Sequence, residues 1–437
     1  MKFNIFIHKD NKYLIQTFFY GMATLLSNIS NFVIAIIFIY ALAPAEYSKV
    51  VLLKTSLIMI TSLSSLGISQ GVVRWFNKDN KKNILLSSVV CSICFQAIFA
   101  TFIYLMFLIS FRNLININFS FFLIFIIIVL NASVMLNNEF LNWYRAEQDS
   151  KKYSIYTFSR SLLQITVIYL LIKNLNSYMS YIYGLAIAEC ILLFFILYSL
   201  RFKLSVKYNF SLIFSILKYS WPHALIISSG FVLNYFDRLM ISKLLDETSL
   251  VAYYDAVSML LLAVIGLISR PFNLFIFPAY TSKYENEGAE ATVKFVERFQ
   301  KYFMILLILL TLILVTFSEL LISIFFPSEY LFATSIVPIL LIGFIFNSLY
   351  VSSMAGLYMT DKPKSIAYAS LLGVSVNILL NYFLIPRLGL DGAAIATSIG
   401  FICAYFYGYY LSKKILYIKP PFTLIFVMFS VILISYL

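Results

Sequence analysis

Eight ionisable side chains stand inside stretches that are otherwise apolar: the cations Lys54, Arg160, Arg238 and Arg270, and the acids Glu189, Asp237, Asp255 and Glu319. Glu139 lies near the end of another such stretch. An ionised group at the centre of a bilayer costs about 2.5–3.5 kcal/mol on insertion scales, so each must be paired, wet or used. Arginine suits phosphate, because its planar fork meets two oxygens at once. Arg160 shares a helical face with Thr157 and Gln164; Arg270 has Gly266 one turn before it, Pro271 beside it and Asn273 on the same side. Neither has an acid three or four residues away, and both read as candidates for gripping a phosphate. The alternative is a lone arginine snorkelling to lipid headgroups. Arg238 and Asp255, near the facing ends of consecutive apolar stretches, read as a structural ion pair, with Arg238 also a candidate substrate-binding cation. Asp237 is read as unpaired with Arg238, since adjacent helical positions diverge. Lys54, above Ser62 and Ser65 on one face, is either a contact on a polar path or a surface snorkeller. Glu189 and Glu319 have no local partner and read as possible coupling acids.

Two polar stripes accompany these charges. Thr17, Gly21, Thr24, Asn28 and Asn31 fall on one helical face, as do Ser370, Gly373, Asn377 and Asn381. Such faces avoid lipid and serve either as glue between helices or as the wall of a wet cavity. Enzyme chemistry finds no support. There is no Gly-x-x-x-x-Gly-Lys phosphate loop, no Gly-x-Gly-x-x-Gly and no Ser/His/Asp or Cys/His constellation. No cofactor is implied. Cys91-Ser-Ile-Cys94 has metal or redox spacing, but only two histidines and no second cysteine pair accompany it, so the cysteines read as small membrane residues and no metal is implied.

The elements that must position these residues are membrane spans. The chain has 437 residues, 62% of them hydrophobic and 12% charged, with apolar runs from end to end. Spans are read at about 14–42, 47–72, 84–111, 119–142, 153–172, 179–200, 219–243, 250–280, 302–326, 332–359, 365–385, 390–412 and 420–437. The first is too long for a signal-peptide core and reads as uncleaved. Of the 32 Lys and Arg, 23 fall in segments on the side of the N-terminus, five on the other side and four within spans. The positive-inside rule therefore places the N-terminus in the cytoplasm and accounts for the net charge of +13 without nucleic acid. The segment 201–218 is basic, with Phe210, Ile213, Phe214 and Leu217 on one face, and reads as an amphipathic surface helix. The segment 281–301 mixes Glu and Lys and reads as a solvated helix.

The two halves repeat. Lys152-Tyr-Ser-Ile-Tyr opens one span and Lys364-Ser-Ile-Ala-Tyr another; Ala186-Ile-Ala-Glu in the next span answers Ala394-Ile-Ala-Thr. The reading is an all-α polytopic membrane protein with two pseudo-symmetric six-helix lobes, 1–200 and 219–412, joined by the linker 201–218. A short extra span follows in 413–437, giving thirteen. In such a parallel repeat a substrate path is expected between the halves.

Residues 377–400 read Asn-Ile-Leu-Leu-Asn-Tyr-Phe-Leu-Ile-Pro-Arg-Leu-Gly-Leu-Asp-Gly-Ala-Ala-Ile-Ala-Thr-Ser-Ile-Gly. This stretch resembles a signature of the MATE/MurJ/Wzx (MOP) superfamily of exporters and lipid-sugar flippases, its Wzx branch most of all. Asn234-Tyr-Phe-Asp-Arg-Leu-Met-Ile-Ser-Lys-Leu-Leu followed by Val251-Ala-Tyr-Tyr-Asp-Ala is similar to the Wzx pattern of Asp-Arg before a hydrophobic turn and then Gly-x-Tyr-x-x-Ala, with Ala252 in the Gly place. Pro44-Ala-Glu-Tyr-Ser and Leu66-Gly-Ile-Ser resemble the matching first-half pattern, with Ser48 in a Gly place.

The resemblance implies movement of an undecaprenyl-diphosphate-linked oligosaccharide repeat unit across the bacterial inner membrane for O-antigen or another surface polysaccharide. It implies two lobes around a cavity that opens to each side in turn. Many members have fourteen spans where this chain reads as thirteen. The implied partners are the lipid-linked oligosaccharide, membrane lipids, a polysaccharide polymerase and other assembly proteins. Two other readings stand beside it. A MATE-like small-molecule exporter would favour acidic binding residues, and the first span has none between Leu14 and Leu42. A non-transporting scaffold of a glycan assembly complex would not need Arg160 or Arg270. Reporter fusions at Lys81, Lys207 and Lys294 should all read cytoplasmic; one clear periplasmic signal among them contradicts the topology.

Overall fold

The computed structural model describes residues 2–76, 82–110, 120–201, 203, 205, 207–360 and 362–434, with side chains from residue 19 onward except at 278, 433 and 434. Every regular element among the described residues is a helix. The chain forms two compact units, one from 1–42 and 52–228, the other from 43–51 and 229–437.

In the first unit the helices are α1 (Lys2–Ala41), α2 (Pro44–Ser64, from residue 52 on), α3 (Ile68–Phe76), α4 (Lys82–Ser110), α5 (Phe121–Ala146), α6 (Ser150–Leu175) and α7 (Met179–Leu200), followed by the start of α8 (Phe210–Leu244). Short polar side chains stitch α1 to α6: Ser30 Oγ donates to the Ser161 carbonyl at 3.2 Å and Ser154 Oγ to the Phe19 carbonyl at 3.0 Å. Ser120 and Asp149 cap α5 and α6, accepting from the Leu123 and Lys152 N–H groups. Helices α2 and α3 form one broken apolar pair bent by 45°. The bend needs Gly67, whose φ is +67°; a Cβ there would lie 2.7 Å from the Ser220 carbonyl oxygen of α8.

The second unit continues α8 and adds α9 (Ser249–Thr316), α10 (Ser318–Phe325), a 3₁₀ turn (Ser328–Ser335), α11 (Ile336–Ser353), α12 (Ala355–Met359), α13 (Pro363–Ser412) and α14 (Phe422–Ile434). Helix α9 is interrupted at Gly288 and α13 at Gly389, both at positive φ. The two arms of α13 lie against each other through small residues. A Cβ on Gly373 would sit 2.7 Å from the Gly400 carbonyl oxygen, and one on Gly400 would sit 2.9 Å from Asn377 Cβ. Small residues in that signature stretch thus let two helix backbones meet.

Among the described residues ten helices are long and apolar enough to cross a membrane, eleven counting the bent pair. Helix α13 carries two of the thirteen spans read from sequence, one on each side of Gly389. The last expected span corresponds to the short α14. The expected surface helix at 201–218 differs from the structure. Asn209 accepts from the Ser211 and Leu212 N–H groups, α8 begins at Phe210, and it runs unbroken to Leu244 through Pro222. The passage between the compact units therefore falls within a helix, at 228/229, because nothing between Leu217 and Trp221 ends it. Asn286, Lys283 and Lys294 in 281–301 bond to Ser282, Glu287 and Glu290 on an exposed helical face, as that segment's composition anticipates. Gly373→Val should overpack the α13 seam at a cost of about 1–3 kcal/mol. Thermal unfolding of the purified protein in detergent checks this; an unchanged midpoint contradicts the close approach.

Candidate functional site

Among the described residues, each unit holds a buried polar cluster built around ionised side chains. In the first unit it forms among α5, α6 and α7. Glu189 on α7 is 0% exposed. Its Oε1 accepts from Arg160 Nε at 2.7 Å and from Gln164 Nε2 at 2.6 Å. Asn137 Nδ2 donates both to Glu189 Oε2 at 2.8 Å and to the Glu189 carbonyl at 2.9 Å. Arg160 Nη1 donates to Asn138 Oδ1 at 2.7 Å, and the arginine side chain remains 18% exposed. Helices α6 and α7 meet closely, since a Cβ on Gly184 would lie 2.6 Å from Ile168 Cγ1.

This cluster corrects two expectations. Arg160 does have an acid, and Glu189 does have partners. The contacts cross between helices, where spacing along one helix cannot reveal them. Gln164 shares the face of Arg160 and joins the same carboxylate oxygen, while Thr157 is buried on that face with its hydroxyl unbonded. Asn137 and Asn138 were overlooked; with Glu139 they form a polar run in an apolar span, a signal visible in the sequence.

The second cluster joins 43–51, α8, α9 and α13. Arg238, 1% exposed, donates Nε to Asp255 Oδ1 at 3.0 Å and Nη1 to Asp237 Oδ1 at 2.7 Å. Nη1 also reaches the Asn234 carbonyl at 2.6 Å. Tyr47 OH donates to Asp255 Oδ2 at 3.1 Å, and Tyr254 OH to Asp237 Oδ2 at 2.5 Å. Thr397 Oγ1 donates to Asp237 Oδ2 at 3.3 Å, Asn377 Nδ2 to Thr397 Oγ1 at 3.2 Å and Asn381 Nδ2 to Asn377 Oδ1 at 3.2 Å. Asp237 was read as unpaired with Arg238, and the structure pairs them: the long arginine side chain folds back along the helix to its neighbour's carboxylate. Tyr47, Tyr254 and Thr397 all lie in motifs singled out from the sequence, though not for these bonds.

The remaining candidates are dispersed. Arg270 on α9 is partly buried and lies across Gly266, whose missing Cβ leaves room 3.4 Å from Arg270 Nε. Among the described residues no carboxylate forms an ion pair with Arg270. Asn273, on the same side, donates to the Ser348 carbonyl at 3.4 Å. Lys54 is partly buried on α2, and the hydroxyls of Ser62 and Ser65 bond back to their own helix. Glu319, read as a deep acid, is instead exposed in the first turn of α10. The apolar run read as one span over 302–326 breaks at Phe317, and an acid suits the free N–H groups of a new helix. The two stripes also separate. The Ser370–Asn381 stripe is buried glue, whereas Gly21 faces open space and Asn31 is exposed. Thr17 has no described side chain.

The profile of a family described as polysaccharide biosynthesis protein matches residues 14–284. The chain belongs to this family. It is 28% identical over 207 residues to the probable low-salt glycan biosynthesis flippase Agl15 of Haloferax volcanii, covering 46% of this chain and 42% of that protein. It is 28% identical over 171 residues to the putative O-antigen transporter of Shigella flexneri, covering 38% and 39%. The matches thus span about two fifths of the length of these relatives. The fold is that of the lipid II flippase MurJ in an inward closed conformation, with a TM-score of 0.73, 16% identity and coverage of 95% of this chain and 91% of that one. This member of the polysaccharide biosynthesis family is therefore a multi-pass membrane protein with a MOP-type fold.

Removing Arg238 from this family member leaves two buried acids facing each other's cluster without a cation. Arg238→Ala should destabilise the protein by about 3–5 kcal/mol, the usual cost of breaking a buried pair from one side. Asp255→Asn should restore part of the folded level. Membrane-protein amounts for the single and double variants check this, and an unchanged level for Arg238→Ala contradicts it.

Proposed function

We propose that this protein is a flippase that carries a lipid-linked oligosaccharide repeat unit, joined through a diphosphate to a polyprenyl chain such as undecaprenol, from the cytoplasmic to the outer leaflet of the inner membrane. Its N-terminus is cytoplasmic, and its product feeds surface polysaccharide assembly such as O-antigen, where a polymerase and other assembly proteins take it up. It makes and breaks no covalent bond. Membership of a polysaccharide biosynthesis family supports this reading. The observation that carries it is Arg270: a guanidinium inside an apolar helix, lying over a glycine, with no carboxylate paired to it among the described residues. A cation kept so, at an insertion cost of about 2.5–3.5 kcal/mol, is a functional group by default. A diphosphate fits its fork and charge.

Arg160 supplies a second guanidinium in the other unit, its outer edge still accessible. Around Gly21 in α1 and Gly230 in α8 a Cβ would meet nothing within 4 Å. These unpacked positions suit passage of bulky sugars along polar surface, while the polyprenyl tail stays in lipid. Lys54 is a further cation that such a path could use, and Arg238, buried between Asp237 and Asp255, serves the structure.

Cells lacking the protein should accumulate lipid-linked repeat units and lose one surface polysaccharide. Arg270→Ala should abolish complementation with the protein still present in the membrane, and Arg160→Ala should abolish it with a lower folded level, because it strands the buried Glu189. Lys at either place should recover only part, since it keeps the charge and loses the fork. Glycan blots run beside membrane-protein levels measure both. Normal export by both alanine variants contradicts the phosphate grip. An intact surface glycan with raised sensitivity to cationic dyes supports a drug exporter instead.

A further inference from the structure

One buried acid that this reading leaves unused is Glu189. It neutralises the very guanidinium that Arg160 would offer to a diphosphate, at 2.7 Å. Two features of its setting stand out. Glu189 is held independently of Arg160: Gln164 of α6 bonds Oε1, and Asn137 of α5 bonds both Oε2 and the backbone carbonyl. The carboxylate is therefore fixed whether or not the arginine stays. Arg160 is the outermost member of the set, partly exposed and bonded through Nη1 to the exposed Asn138. The acid lies behind the guanidinium, and the Nη edge lies in front. An anion arriving at that edge must share the cation with a carboxylate that cannot retreat.

We propose that Glu189 is the resident counter-anion of Arg160, competing with the diphosphate for the guanidinium and reclaiming it when the substrate leaves. The inference rests on the proposed diphosphate reading. Its physical logic is that of any carrier: a site must bind strongly enough to load and weakly enough to unload. Tight binding of the ground state does not by itself speed turnover. A fixed acid behind the Arg160 guanidinium lowers its affinity for a diphosphate without blocking access to its Nη edge. Glu189 is thus a positioning and tuning residue, acting on the substrate through Arg160.

The test uses the purified full chain in phosphatidylcholine nanodiscs, with farnesyl diphosphate as the probe and farnesol as the control. Glu189→Gln should bind farnesyl diphosphate about tenfold more tightly than the unaltered protein, a modest coupling for charges in one site, while glycan export in cells falls. The double variant Arg160→Gln/Glu189→Gln, with both charges gone, should bind more weakly than the unaltered protein and also fail to export. A purely structural pair would instead let that double variant bind and export normally, which overturns the proposal. So does equal or weaker binding by Glu189→Gln. Should Glu189→Gln not accumulate, Glu189→Asp, which draws the carboxylate back by one methylene, must show the same tightening to a smaller degree; no tightening overturns the proposal. Farnesyl diphosphate bound no better than farnesol, or displaced by phosphatidylglycerol in the disc, sinks the diphosphate reading and this inference together. Binding that Arg160→Gln weakens but Glu189→Gln leaves unchanged sinks this inference alone.

Discussion

Where no water reaches, an ionised side chain must be answered by another, and this requirement shapes both compact units. Glu189 has no exposure and receives Arg160, Gln164 and Asn137. Asp237 and Asp255 enclose Arg238 and draw Tyr47, Tyr254 and Thr397 toward them. These bonds tie helices that lie far apart in sequence, so they fix which helix packs on which. Breaking one side of such a set costs much more than the set contributes in total, because the remaining charge is stranded. The helices in turn must approach closely enough for the bonds to form. Gly184, Gly373 and Gly400 permit this by leaving no Cβ at the crossing points.

The repeat noticed in the motifs has a physical counterpart. Ala186-Ile-Ala-Glu and Ala394-Ile-Ala-Thr place Glu189 and Thr397 in corresponding positions of α7 and of the second arm of α13. Each bonds a side-chain amide of the preceding span, Gln164 in one case and Asn377 in the other. The first unit solves the seam with an acid and an arginine partly open at its edge. The second solves it with a closed chain of amides, hydroxyls and acids. One scaffold therefore yields an accessible guanidinium in one half and a sealed network in the other.

Much of this was legible in the residues. Hydropathy gave the spans, since an apolar run of sufficient length has few alternatives, and the Arg238–Asp255 contact followed from two charges at facing ends of a short hairpin. What escaped detection was contact across helices. Arg160 showed no acid within a turn, yet Glu189 lies opposite it on the next helix. Glu319 misled for a different reason: the run 302–326 is strongly apolar on average, so hydropathy could not reveal the break at Phe317 that leaves the acid exposed. The same blindness hid the continuity of α8 across 210–218, where an amphipathic pattern suggested a separate surface helix but no residue ends the one that spans.

The central claim is that buried guanidiniums recognise a diphosphate on a lipid-linked glycan. It is tested most directly in proteoliposomes by following a labelled polyprenyl-linked oligosaccharide through its accessibility to a membrane-impermeant quencher. The account predicts protein-dependent movement of the diphosphate-linked compound between leaflets and none of the same glycan joined to the polyprenol without phosphate. Equal movement of both compounds, or movement of neither in liposomes that contain the folded protein, would contradict it.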